Sequence, residues 1–221
     1  MLIKLSHVLD EATPSYGNRD TFYSESVSSI INGCSANSQK WILSTNHIGT
    51  HIDVPRHFDN NGKSVTDFDD SYWFFSAVEL VDIPLKCGRL ISRDDFKKEI
   101  SFDSDLLLIR TGYENFRGDE KYWKDNPGIS PDCAAWLRST FPNLRVIGFD
   151  FLSLTSWNYR MEGRESHFAL LGNETIESRP ICIIEDMALH EINSSISRAY
   201  VAPIFVEGAD GAPVTVFAEL K

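Results

Sequence analysis

Six short apolar runs, at 77–83, 106–109, 145–149, 181–184, 201–206 and 214–218, recur along this chain, each bounded by Pro, Gly, Asp or Ser. Their length and their branched residues predict buried strands rather than helices. Helical signals fall between some of them. Ser92 is placed to cap 94–100, with acids early and lysines late, as the helix dipole prefers. Ser130, followed by Pro131 at the first helical position, opens a second helix through 140. Strands outnumber helices, so the expected fold class is a sheet-rich α/β domain and not a regular doubly wound one. No linker, low-complexity stretch or repeat interrupts it, and residues 1–221 are read as a single domain.

With 221 residues and 42% hydrophobic content, the chain can build one full core. The charge balance, 21 − 32 = −11, argues against nucleic acid or an anionic membrane surface as a partner, since both are bound through many cations. Aromatic residues at 12% exceed what a disordered acidic chain carries. No apolar run approaches the roughly 20 residues that span a bilayer. The first segment, with Lys4 and His7 inside its apolar stretch, shows no secretory signal, so the cytoplasm is expected. Cys34, Cys87, Cys133 and Cys182 lie far apart with no CxxC, and read as buried or half-buried thiols.

The chemistry is concentrated elsewhere. Of six histidines, three lie within eleven residues, in His47-Ile48-Gly49-Thr50-His51-Ile52-Asp53-Val54-Pro55-Arg56-His57. With Asp53 they form a ligand set that Zn²⁺, Mn²⁺ or Fe²⁺ accepts. The β-branched residues, Gly49 and Pro55 speak against a helix. On a strand, 47, 49, 51 and 53 share a face, but His47 and His51 would then stand roughly 13 Å apart at the backbone. Gly49 is the natural bend that brings them together, and Pro55 marks the exit, leaving His57 on a turn. Ordinary polar residues on a half-exposed strand are the competing explanation, which fits one histidine better than three.

This segment resembles the HxGTHxDxPxH signature of the cyclase family, which includes bacterial kynurenine formamidases and isatin hydrolases, and every fixed position is filled. Lys4-Leu5-Ser6-His7, Leu108-Ile109-Arg110-Thr111-Gly112-Tyr113 and the stretch from Val146 through Asp150 to Ser153 resemble further family segments. The resemblance implies a swivelling β/β/α fold, assembled as a homodimer or homotetramer. It implies His47, His51 and Asp53 as metal ligands and His57 as the general acid/base outside the first shell. It also implies a second metal position, bridged by Asp53 and completed by His167 and Glu185. The spacing of 18 residues between those two exceeds the family pattern, and the excess falls in 173–180, where Glu174 and Glu177 are rival ligands. Glu185 is preferred because it ends an apolar strand. Tyr16, after Thr13-Pro14-Ser15, is either a substrate-packing aromatic residue or a surface turn tyrosine. His7 and His190 are assigned to structure, and Arg110 and Asp150 to folding or subunit contacts.

The expected function is a metal-dependent hydrolase of a C–N bond in a small formamide or amide, using one or two divalent ions per chain, zinc first and manganese second. Alternatives are hydrolysis of a cyclic amide of the isatin type, a cyclisation, or metal or ligand binding without turnover.

Overall fold

The computed structural model describes residues 1–172 and 179–221. Its strands are β1 (Leu2–Lys4), β2 (Phe22–Ser28), β3 (Ser38–Leu43), β4 (His51–Asp53), β5 (Phe74–Phe75), β6 (Val78–Asp82), β7 (Leu90–Ile91), β8 (Leu106–Arg110), β9 (Gly128–Ile129), β10 (Val146–Phe149), β11 (Cys182–Glu185), β12 (Ile196–Pro203) and β13 (Gly211–Leu220). The α-helices are α1 (Lys121–Lys124), α2 (Pro131–Thr140) and α3 (Arg160–Leu171).

One large sheet runs β5-β12-β13-β4-β11-β10-β8-β6, with β1 added beside β13. Its centre is parallel, from β6 through β8 and β10 to β11, and β4, β13, β12 and β5 extend it antiparallel. The terminal strands β5 and β6 are separated in sequence by only Ser76 and Ala77. Two residues cannot cross the width of a flat sheet of this size, so the sheet must curl until its edges nearly meet.

Curling divides the core by alternation. Leu107, Ile109, Ile147, Phe149 and Ile183 point to the outer layer, where Ala134 and Leu137 of α2 and Leu170 and Leu171 of α3 cover them. Leu106, Leu108, Val146, Cys182 and Ile184 point inward, onto Ile52, Val201, Val216 and Ala218. Both faces are thus buried, and the strands read as continuous apolar runs rather than alternating ones. Gly148 sits where a Cβ would come within 2.4 Å of the Met187 sulfur.

The expected mixed α/β class holds, and α2 begins and ends as the sequence predicts, with Ser130 accepting from the Cys133 amide. The helix expected over 94–100 is a correction: only a 3-10 turn forms, Arg93–Asp95. The Asp95 carboxylate folds back onto the Ser92 amide and hydroxyl and also takes both Nη atoms of Arg89, at 2.7 and 2.8 Å. Phe96 then leaves helical geometry, and its ring packs against Trp136. The thiols are also corrected in part, since Cys133 and Cys182 are buried but Cys34 and Cys87 are exposed. Two elements went unforeseen. The hairpin β2–β3 projects serines and apolar residues alike into solvent, so it carries no alternating pattern. In α3, the polar stretch Arg160-Met161-Glu162-Gly163-Arg164-Glu165-Ser166 lacks apolar periodicity, yet Gly163 is required because a Cβ there would lie 2.5 Å from the Thr155 hydroxyl.

Candidate metal centre

Alternation along β4 places Ile52 in the inner core and turns His51 and Asp53 to the outer face. The same rule along β11 sends Ile184 inward and Glu185 outward. Register makes His51 and Glu185 direct partners across the antiparallel pair. The segment before β4 is no strand: Gly49, at φ +62°, bends the chain and returns His47 to Asp53. His47 Nδ1 is 2.7 Å from Asp53 Oδ1. Across the β4–β13 pair, Gly211 leaves room for this imidazole, since a Cβ there would lie 2.7 Å from its ring. Pro55–His57 forms the expected turn.

The helix α3 completes the centre with His167, whose Nε2 lies 3.6 Å from both Asp53 Oδ2 and Glu185 Oε1. His51 Nε2 lies 3.5 Å from Asp53 Oδ1 and 3.4 Å from Glu185 Oε2. The other nitrogens of these rings meet backbone carbonyls, His51 Nδ1 at Gly49 O and His167 Nδ1 at Gly163 O, each at 2.8 Å. A ring that donates Nδ1–H to a carbonyl keeps its Nε2 lone pair for a metal. Glu185 Oε1 accepts from the Leu154 amide at 2.7 Å and the Ser153 hydroxyl at 3.2 Å. His51, Asp53, His167 and Glu185 are all buried.

Charges in this cluster support one another. Burial alone would push the Asp53 carboxyl up, but His167 and His47 hold it well below the usual range. Burial opposes charge on His47 and His167 too, yet Asp210 and Asp53 raise the first to about 10, and Asp53 and Glu185 raise the second to about 9. His51 is likewise raised despite burial, by Glu185 and Asp53.

All five sequence-derived ligand candidates therefore converge, although they come from a bend, a strand, a helix and a second strand. Tyr16 stands on the rim, its ring 5.3 Å from Trp157, and lines a cleft of about 520 Å³ that opens onto His47, His51, Asp53, His57, His167 and Glu185. Glu174 and Glu177 lie outside the described residues. His7 and His190 do not reach the centre. They face Glu114, at 3.9 and 3.4 Å. Arg110 pairs with Asp82, and Asp150 accepts from Thr111 and Gly112.

Asp210 was missed by sequence reasoning. Its Oδ2 lies 2.9 Å from His57 Nδ1 and 3.1 Å from His47 Nε2, and these contacts hold its carboxyl far below the ordinary range. The available signal was an acid in the glycine-flanked turn Gly208-Ala209-Asp210-Gly211 between two apolar runs. Among the described residues two sets of side chains lie close enough to hold an ion, His51 with Asp53 and Glu185, and His47 with Asp53 and His57.

Fold and site together define a sheet-rich α/β protein with a buried histidine–carboxylate centre suited to a divalent cation. The family model described as "Putative cyclase" matches residues 3–155, and the chain belongs to this cyclase family. A kynurenine formamidase of Geobacillus thermodenitrificans (strain NG80-2) is 28% identical over 212 residues, covering 96% of this chain and 94% of that one. A kynurenine formamidase of Bacillus mycoides (strain KBAB4) is 30% identical over 198 residues, covering 88% and 86%. Isatin hydrolase A from Ralstonia solanacearum shares the fold at TM-score 0.79 and 17% identity, covering 100% of this chain and 92% of that one. A structure described as "predicted metal-dependent hydrolase from Bacillus stearothermophilus" shares it at TM-score 0.76 and 20% identity, covering 99% and 97%.

Proposed function

We propose that the protein hydrolyses a C–N bond of a small formamide or amide, in the manner of an arylformamidase, with a divalent metal at the His–Asp–Glu centre. The observation that carries this reading is the convergence of His51, Asp53, His167 and Glu185 at the floor of an open cleft. The donor set fits a metal. Two carboxylates are buried side by side, and two imidazoles aim Nε2 at them from 3.4 to 3.6 Å, too far for good hydrogen bonds but suited to ligands sharing an ion. His47, His51 and Asp53 would hold one ion, and Asp53, His167 and Glu185 a second, with Asp53 shared. Imidazole with carboxylate suits zinc first and manganese second.

A divalent cation held by these residues would lower the pKa of a water toward neutrality and would itself polarise a carbonyl oxygen. The chain's own residues do the rest. His57, held at Nδ1 by Asp210, keeps Nε2 for proton exchange. It takes a proton from the attacking water and returns it to the departing nitrogen, which leaves poorly unless protonated. Tyr16 at the rim packs against the substrate's apolar part. The relatives named kynurenine formamidase favour a formamide over a cyclic amide.

We further propose that residues 1–221 act as one domain in the cytoplasm, as a homodimer or homotetramer. The exposed Val27, Ile31 and Trp41 of the β2–β3 region offer apolar surface for such assembly, and among the described residues no helix is long and apolar enough to cross a membrane.

The test is metal analysis of the purified protein, then assay against formanilides, N-formylkynurenine and isatin. Formamide hydrolysis, lost with chelator and restored by zinc or manganese, is the expected result. Turnover of isatin alone would shift the reading to cyclic amides, and bound metal without any turnover would make this a binding protein.

A further inference from the structure

We infer that the cleft selects an anionic substrate, an amide that carries a carboxylate about one aromatic ring away from the scissile carbonyl and no ammonium group. This rests on the hydrolase reading of the centre and adds the charge of what it accepts.

In a chain of net charge −11, the cleft is lined by three arginines, Arg19, Arg160 and Arg164. Elsewhere Arg89, Arg110, Arg117 and Arg145 each pair with an aspartate. Among the described residues none of the three cleft arginines makes an ion pair. Arg19 and Arg160 donate Nε weakly to the carbonyls of Tyr16 and Trp157, each at 3.4 Å, and Arg160 also reaches the Tyr16 hydroxyl, so their neighbours here carry no negative charge. The Arg160 guanidinium lies over Trp157, 3.7 Å from the ring centroid, so its position is set by the indole rather than by a carboxylate. Among the described residues the only acids lining the cleft are Asp53 and Glu185, both buried at the metal centre and engaged by histidines. Among the described residues that line the cleft, no further carboxylate is left to receive an ammonium.

Geometry sets the distance. Arg160, Arg164 and His167 follow i, i+4, i+7 spacing on α3 and share one helix face. At 1.5 Å per residue, Arg164 stands roughly 4.5 Å and Arg160 roughly 10 Å along the axis from His167. A carbonyl at the centre therefore puts a carboxylate within a guanidinium's reach when one ring separates the two groups. Planar guanidinium forks match carboxylates.

The experiment compares kcat/KM of the metal-loaded protein for 2-formamidobenzoate, uncharged formanilide and zwitterionic N-formylkynurenine. The carboxylate substrate should exceed both others, and formanilide by about tenfold or more, the scale of one charge-assisted contact. Arg164→Gln and Arg160→Gln should each lower the 2-formamidobenzoate to formanilide ratio several-fold, chiefly through KM, and Arg164→Lys should keep most of it. A preference for formanilide or the zwitterion, or a ratio unmoved in both Gln variants, would overturn the inference. If no formamide is turned over, the hydrolase reading fails, and the anion site is still decided by calorimetric titration of benzoate into chelated protein. Binding that weakens in Arg160→Gln and Arg164→Gln supports it, and no binding to the wild type, or binding unmoved in both variants, refutes it.

Discussion

Asp210 Oδ2 sits 2.9 Å from His57 Nδ1, so the imidazole assigned to proton transfer is oriented by a carboxylate 153 residues further along the chain. The same oxygen is 3.1 Å from His47 Nε2. One side chain thereby links His57 to the His47–Asp53 cluster. Asp210→Asn should keep its metal and lose about 10- to 100-fold in kcat, the usual cost of removing a partner that orients a catalytic or ligating ring. Metal content alongside steady-state kinetics checks this, and loss of metal with unchanged kcat per bound ion would assign Asp210 to His47 alone.

His57→Ala should retain metal and lose kcat by about 10² to 10⁴, the contribution typical of a general acid–base group. An activated ester, whose leaving oxygen needs no proton, should suffer less than a formamide. His57 also stands close enough to His47 and Asp53 to share an ion with them, so loss of metal in this variant would make it a ligand.

His51→Ala and Glu185→Gln should each strip metal or activity sharply, because removing one donor from a small set forfeits much of the affinity. Glu174→Gln and Glu177→Gln should change little. Metal analysis of the four variants decides it, and an essential loop glutamate beside a dispensable Glu185 would relocate the second metal position.

Metal binding at pH 7 should release protons, at least two per chain if His47 and His167 both ligate, because in metal-free protein their pKa values stand at about 10 and about 9 and that of His51 is raised as well. Calorimetry in buffers of different ionisation enthalpy measures the count, and apparent affinity should climb as pH rises toward 9. The sign for the chelated protein is opposite. Raised imidazole pKa values contribute stability that is complete below the ordinary 6.5 and is lost as pH rises through about 9 to 10, so its Tm should fall across that interval.

His47, His51, Asp53 and His57 were legible in the sequence because their geometry is local: a glycine bend, two-residue alternation on a strand and a proline exit. The strands β8, β10 and β11 were legible for a similar reason, since burial on both faces leaves continuous apolar runs. His167 and Glu185 were reached only through family resemblance. No local pattern announces α3, whose Gly163 answers to Thr155 from outside the helix, and Glu185 meets His51 only through strand register. Asp210 and the cleft arginines were missed for a stronger reason. Backbone propensity and hydrophobic period act over a few residues, whereas the Asp210 partners lie 153 and 163 positions away. A free carboxylate and a committed one look alike in sequence, and so do a paired arginine and an unpaired one. The curled sheet and the seating of α3 against it decide which charges meet, because only the packed chain excludes water and sets those distances.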